Sequence, residues 1–315
     1  MNDGLSEDTM INVENLTRKF GKVTAVYNLT FQVKEGEVFG FLGPNGAGKT
    51  TTVRMLCCLI SKTSGEARIA DYQIGKAADS LQIRKMIGLV PDNVGLYDDL
   101  TAFENLDFYG KLYEYPEGRR KENIERFLKL LDLWDKKDSR AGSFSKGMKQ
   151  KLALARALIH EPKILFMDEP TANLDPESAK TVRDFIIELK KQGRTIFLNT
   201  HNLDEAQRVC DRIGIIKTKL LTVGTPEQLR ESLSKPRTVI RLAQVADSML
   251  STLRKVIPNN IEVSDNKLLI DVTDPDKENP AIIAAITSTG GQVREVTQIV
   301  PGLEDVYLQI VKETK

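Results

Sequence analysis

The sequence predicts an α/β protein built on an open sheet, followed by a smaller α+β domain. Three observations carry that expectation. An apolar strand runs into a glycine-rich loop and then a helix between residues 37 and 60. Two later apolar runs, 163–167 and 195–199, each end abruptly in polar, ionisable residues. After a Pro-containing stretch at 234–237 the strand and helix patterns restart in the order βαββαβ.

Residues 11–20 and 25–33 alternate apolar and polar side chains as strands do, with Gly21 and Asn28 placed near turns. Phe20 closes the first of them, and spacing alone favours a core or edge aromatic over a platform for a purine ring. The run 37–42 then meets Gly43-Pro44-Asn45-Gly46-Ala47-Gly48-Lys49-Thr50, and Val53, Leu56, Cys57 and Ile60 follow on one helical face. That is the context a phosphate-binding loop requires. Gly43, Gly46 and Gly48 let successive N–H groups point into one anion-binding hollow, and the helix beginning near Lys49 adds its positive end. Lys49 is expected at the β- and γ-phosphates, Thr50 on Mg²⁺ and Thr51 on the α-phosphate.

Strands are expected at 65–70 and 87–90 with a helix over 81–85 between them, and Pro91-Asp92-Asn93 breaks the pattern. Thr101 and Glu104 have the spacing of a capping box. The helix after them carries Phe103, Leu106 and Tyr113. The next has Ile124, Phe127, Leu128 and Leu131 at i, i+3, i+4, i+7. Residues 94–160 therefore read as a helical insert, with Trp134 as packing and His160 as a cap on the helix it follows. Ser145 is well placed as the N-cap of a further helix, and Gly147 leaves its first turn open to close approach. The run 163–167 ends in Asp168-Glu169, a carboxylate pair suited to a Mg²⁺ ligand and a neighbour turned to the same site. Asp175-Pro176 starts a helix whose core face is Val182, Phe185, Ile186 and Leu189, stopped near Gly193. Residues 195–199 deliver Thr200-His201 to a strand terminus, where open α/β sheets place ligands, so a γ-phosphate contact is favoured for His201. Residues 214–216 and 220–223 read as a hairpin and 226–232 as a short helix. Beyond the linker the βαββαβ order with a closing helix at 303–311 is that of a ferredoxin-like domain.

Bulk properties narrow the function classes. The 315 residues are enough for two domains, and 45 basic against 44 acidic side chains give a net charge of +1, no field for nucleic acid. Cys57, Cys58 and Cys210 fit neither a disulfide framework nor a metal spacing, and read as reduced cytosolic thiols. Residues 1–10 are polar, without a signal pattern, and are expected to be flexible. No apolar run approaches a membrane span, so the chain is not expected to cross a bilayer by itself.

Taken together, these residues resemble the ATP-binding subunits of ABC transporters over roughly 11–228. The loop 43–50 resembles the Walker A motif, and Phe144-Ser145-Lys146-Gly147-Met148 the family signature. Residues 164–168 with Glu169 resemble Walker B, 172–175 the D-loop, and His201 the switch histidine. The resemblance implies a P-loop NTPase domain with an N-terminal β subdomain and the helical insert 94–160, followed by an accessory domain over 237–315. It implies ATP and Mg²⁺ as ligands, with Phe20 stacked on adenine, which reverses the reading from spacing. It implies Glu169 as general base, and Lys49 and His201 as stabilisers of γ-phosphoryl charge. A second subunit would complete each ATP site with Ser145, Lys146 and Gly147, and Asp175 of the D-loop counts among the nucleotide-binding residues. Separate transmembrane permease subunits would hold the chain at the cytoplasmic face of the membrane.

The Ser145-Lys146-Gly147-Met148-Lys149-Gln150 form resembles the branch that exports drugs, antibiotics and sodium, and residues 302–307 resemble the closing motif of its C-terminal extension. The family pattern places Gln where this chain has Asp92 followed by Asn93. Either Asp92 ligates Mg²⁺ or Asn93 supplies the amide after a small backbone shift. The competing class is a soluble ATP-driven switch on DNA or the ribosome. DNA-repair relatives carry a long coiled coil between the two Walker motifs, and ribosomal ones two cassettes. This chain has a short insert and a single cassette.

Overall fold

The computed structural model of the protein describes residues 8–233, 237–256 and 261–299, together with Glu304, Tyr307, Leu308 and Ile310. The chain divides into two compact units, Met1–Pro226 and Glu227–Lys315.

The first unit opens with β1 (Thr9–Phe20) and β2 (Val23–Lys34), joined at Gly21 and paired antiparallel. Strand β1 begins at Thr9, so residues 9 and 10 belong to a strand rather than to a flexible N-terminus. Asn28 lies inside β2 with φ 53°, a mid-strand irregularity rather than a turn residue. With β4 (Ser64–Ile69) and β5 (Tyr72–Gln73) these strands form a sheet ordered β2-β1-β4-β5.

The second sheet contains β3 (Val38–Leu42), β6 (Ile87–Val90), β7 (Ile164–Asp168), β8 (Thr195–Thr200), β9 (Arg212–Lys217) and β10 (Lys219–Gly224), in the order β10-β9-β3-β8-β7-β6. Strands β6, β7, β8, β3 and β9 run parallel, and β10 folds back antiparallel on β9. Every residue of β3, β7 and β8 is buried. Covered on both faces, such strands read as continuous apolar runs rather than alternating ones. The two sheets are joined by a cluster of phenylalanines. Phe31 of β2 stacks on Phe39 of β3 at 5.5 Å between ring centroids, and Phe41 meets Phe197 of β8 at 5.4 Å.

Helices cover this sheet: α1 (Lys49–Leu56), α2 (Ala77–Met86), α6 (Pro176–Lys191) and α7 (Leu203–Val209). The insert supplies α3 (Ala102–Leu112), α4 (Glu117–Leu130) and α5 (Lys146–Leu158). The Thr101 and Glu104 capping box forms as expected, each side chain bonding the other's backbone N–H. Ile124, Phe127, Leu128 and Leu131 are all buried, which is the stripe that docks α4.

His160 departs from expectation. Its ring stacks face to face on Tyr113 at 3.7 Å, and Nε2 donates to the Ile87 carbonyl at 3.0 Å. It ties the insert to the start of β6 rather than capping its own helix. Burial holds its pKa at about 4, so the ring is neutral at physiological pH.

The second unit opens with α8 (Pro226–Leu233), whose first residue closes the first unit. It contains β11 (Arg237–Leu242), α9 (Asp247–Val256), β12 (Ile261–Ser264), β13 (Lys267–Asp271), α10 (Pro275–Ser288) and β14 (Val293–Ile299). The sheet is ordered β12-β13-β11-β14 with all neighbours antiparallel, the ferredoxin-like arrangement. Ile240, Leu242, Leu253, Leu268, Ile270, Ile282 and Ile286 form its core. Residues 234–236 of the linker, and most of the helix at 303–311 with its closing motif, lie outside the described residues.

Candidate nucleotide-binding site

Because β3, β6, β7 and β8 are parallel, their C-terminal ends share one edge of the sheet. The glycine-rich loop leaves β3 there, Asp92 follows β6 closely, Asp168 and Glu169 end β7, and His201 follows β8. Phe20 reaches the same place from the end of β1. All of them line one open cleft of about 570 Å³ with Pro44, Asn45, Gly46, Ala47, Gly48, Lys49, Thr50 and Thr51.

The loop holds its shape through tight contacts. Gly48, the N-cap of α1, has φ 102°, and a Cβ built there would lie 2.5 Å from the Ala25 carbonyl oxygen. Only glycine fits both the left-handed backbone and that approach. Lys49 is 6% exposed. Its Nζ donates to the Gly43 carbonyl at 2.7 Å and lies 3.3 Å from Glu169 Oε1. The ammonium is thus fixed beside the helix end where phosphate oxygens are best accommodated.

Glu169 adopts φ 52°, an uncommon conformation for a side-chain-bearing residue, and its N–H donates to the Asn199 carbonyl at 2.9 Å. That turn breaks the strand alternation and brings Glu169 to the side of Lys49. Its Oε2 lies 2.8 Å from His201 Nδ1 and accepts from the His201 N–H at 3.3 Å. The His201 side chain is 56% exposed and faces the cleft. Lys49, Glu169 and His201 therefore form one connected group.

Asp168 is buried, and its Oδ1 accepts from Asn199 Nδ2 at 3.1 Å. The other carboxylate oxygen accepts nothing among the described residues, and neither the Thr50 nor the Thr51 hydroxyl is engaged there. Hard oxygen donors are thus left uncommitted around the loop, the ligand chemistry Mg²⁺ takes. Among the described residues no group of three or more His, Cys, Asp or Glu side chains could hold a metal by itself. The protein alone supplies part of a coordination shell. Asp92 is exposed and lines the cleft, whereas Asn93 does not.

Several supporting residues escaped the sequence reading. Val23, Thr24 and Ala25 at the start of β2 line the same cleft, as do Ala172 and Asn173, which the sequence places only in the D-loop. Glu205 of α7 is 1% exposed. Its carboxylate accepts from the Thr171 hydroxyl and the Thr200 hydroxyl, each at 2.7 Å, so it links the segments that carry Glu169 and His201. Burial pushes its pKa up, and the two hydroxyl bonds oppose that shift. It shares the buried face of α7 with Ala206 and Val209, and a lone glutamate there marks nothing without the fold.

Ser145, Lys146, Gly147 and Asp175 do not line the cleft. Ser145 caps α5 by accepting from the Met148 N–H at 3.2 Å, and Ser145 and Lys146 are exposed. A side chain at Gly147 would collide with Ser178 Oγ near the start of α6. Asp175 caps that helix through the Ser178 N–H at 2.9 Å, and bonding to Ser178 lowers its pKa. The beginnings of α5 and α6 thus lie against each other.

A family model described as ABC transporter matches residues 26–172, and one described as the ATP-binding protein DrrA1-3-like C-terminal domain matches residues 224–311. The chain is 33% identical to the linearmycin resistance ATP-binding protein LnrL of Bacillus subtilis, covering 97% of this chain and 99% of that one. It is 34% identical to the Nod factor export ATP-binding protein I of a Rhizobium species, covering 95% and 96%. Among solved structures, cbiO1 from Clostridium perfringens, part of the cbiONQ ABC transporter complex, superposes with a TM-score of 0.65. The identity is 28%, covering 71% of this chain and 91% of that one. The dimeric ATP-binding cassette MJ0796 in a post-hydrolysis state with ADP and Pi gives 0.63 at 27% identity, covering 69% and 98%. The chain belongs to the ABC transporter family, as an ATP-binding subunit that hydrolyses ATP.

Proposed function

We propose that this subunit drives an exporter, binding ATP between two copies of the cassette and passing closure of the pair to separate transmembrane subunits. The observation that carries the reading is the separation of the candidate residues. Residues 44–51, Asp168, Glu169 and His201 share one cleft, while Ser145, Lys146 and Gly147 stand outside it at a helix start where Ser145 and Lys146 are exposed. A cleft with phosphate-binding groups on one side, and a second anion-binding helix end presented elsewhere, suits two chains meeting head to tail. ATP then joins them, and hydrolysis loosens the pair.

In this reading Phe20 stacks on the adenine and the loop N–H groups with Lys49 hold the phosphates. Thr51 bonds the α-phosphate. Thr50, Asp168 and Asp92 would hold Mg²⁺, which supplies charge neutralisation on the β- and γ-phosphates. Glu169 accepts a proton from the attacking water, and Lys49 and His201 stabilise charge on the γ-phosphoryl group. Asp175 stands near the pairing face beside Gly147.

Export is supported by relatives matched over nearly their whole length, named for linearmycin resistance and Nod factor export. Among the described residues no helix is long and apolar enough to cross a membrane. In this reading separate membrane subunits carry the path for the transported compound and hold this chain at the cytoplasmic face. The test is Glu169→Gln: the chain is expected to retain ATP, stay paired and lose turnover. A membrane protein is expected to co-purify with the wild-type chain. Co-purification with ribosomes or nucleic acid in its place would overturn the reading.

A further inference from the structure

Phe20 is 46% exposed and lines the cleft. The Arg18 guanidinium lies over the ring, 4.4 Å from its centroid. Arg18 itself does not line the cleft. The cation therefore backs the aromatic, leaving the cleft side for a ligand.

Arg18 is also anchored. Its Nη1 donates to Ser61 Oγ at 3.0 Å, a residue just beyond α1, the helix that follows the phosphate loop. Its Nε is buried without a hydrogen-bond partner. A guanidinium that leaves one donor unsatisfied while lying over an aromatic ring is held there by the ring and by the Ser61 bond. Register shifts in the β1–β2 pairing fall on both sides of Arg18, which removes it from the regular alternation of the strand.

We infer that Arg18 is a positioning residue for the nucleotide base: it fixes and polarises the Phe20 ring so that adenine completes a three-layer stack of guanidinium, phenyl and purine. This rests on the reading that Phe20 receives the base. Two physical effects act together. A cation behind the ring draws electron density from the face presented to the electron-rich purine. A ring already fixed in place also loses less freedom on binding. Through Ser61 the same side chain links the base platform to the end of the phosphate-loop helix.

The test uses the full-length chain and two probes, Mg-ATP and Mg-tripolyphosphate, titrated calorimetrically. Tripolyphosphate has the phosphates and no base. Arg18→Met keeps the aliphatic stem and removes the charge, and is expected to weaken ATP binding about threefold to fivefold. Tripolyphosphate affinity is expected to stay unchanged, which also reports an intact fold. Arg18→Lys is expected to recover part of the loss, and Phe20→Ala to weaken ATP about tenfold without affecting tripolyphosphate. Wild-type ATP affinity in Arg18→Met beside a weakened Phe20→Ala would overturn the role of Arg18 alone. Unchanged ATP affinity in Phe20→Ala would overturn the base platform and the inference with it. An equal loss of both probes in Arg18→Met would show a general attraction for anions and overturn the stack.

Discussion

The two units of this chain place their buried polar groups in opposite ways. In the ATP-binding unit Lys49, Asp168, Thr171, Asn199, Thr200 and Glu205 are buried together at one edge of the sheet, bonded to one another or to the loop backbone. In the C-terminal unit the only polar residue buried among the described ones is Thr238, which donates to Asn279 at 2.6 Å. Charged side chains on its strands pair at partly exposed positions, Arg237 with Asp271 at 2.7 Å and with Glu262 at 3.4 Å. Buried polar groups are costly unless bonded, so the gathering of these six at one sheet edge marks where chemistry is held, while other buried amides of the same unit, such as Asn105 and Asn123, bond the Tyr97 and Ile159 carbonyls and serve packing.

That contrast is broken most severely at Lys49. Lys49→Ala leaves Glu169 without its cation and the phosphates without theirs, and ATP turnover is expected to fall by about three orders of magnitude. Activity within tenfold of wild type would mean the buried network is structural.

The next effect is on acid stability. His160 has its pKa lowered to about 4, so the fold must charge a buried imidazole at low pH. Its share of stability is complete above pH 6.5 and is lost as pH falls through 4, at a cost of about 3 kcal/mol. Denaturant melts from pH 7 down to 4 should show that slope, and His160→Gln should flatten it.

A smaller loss is expected at Glu205. Glu205→Ala strands the Thr171 and Thr200 hydroxyls, costing about 2 kcal/mol in denaturant melts and about tenfold in kcat with KM for ATP retained. Its raised pKa gives the opposite pH slope. Its stabilising share is complete below the ordinary glutamate range and fades as pH rises through the elevated folded value. Least of all, Arg237→Ala removes surface pairs in the other unit. It should cost at most about 1 kcal/mol and leave turnover unchanged.

The sequence and the structure agree where chemistry depends on local spacing. The glycines, Lys49 and Thr50 sit within eight residues, and the ends of β7 and β8 are marked by abrupt changes from apolar to ionisable side chains. What was not legible depends on contacts between distant segments. His160 looks like a helix cap in one dimension and proves to be a buried ring stacked on Tyr113, some way back in the chain. Phe20 alternates like a core residue, yet its exposure follows from the cleft that Val23, Thr24 and Ala25 form beside it. Glu205 and Asn199 carry no motif, because a residue that holds two loops in register is identifiable only once those loops are together. Asn28 signals a turn by type and instead bends a long strand.

In the proposed head-to-tail pair the loop 43–50 forms half of an ATP site that a second copy completes. The most direct measurement is the mass of Glu169→Gln in solution with Mg-ATP and without it, alongside its rate of phosphate release. A dimer is expected to form with ATP, to dissociate when ATP is removed, and to turn over at least about a hundredfold more slowly than wild type. A chain that remains monomeric with ATP bound and hydrolyses it at the wild-type rate would contradict it.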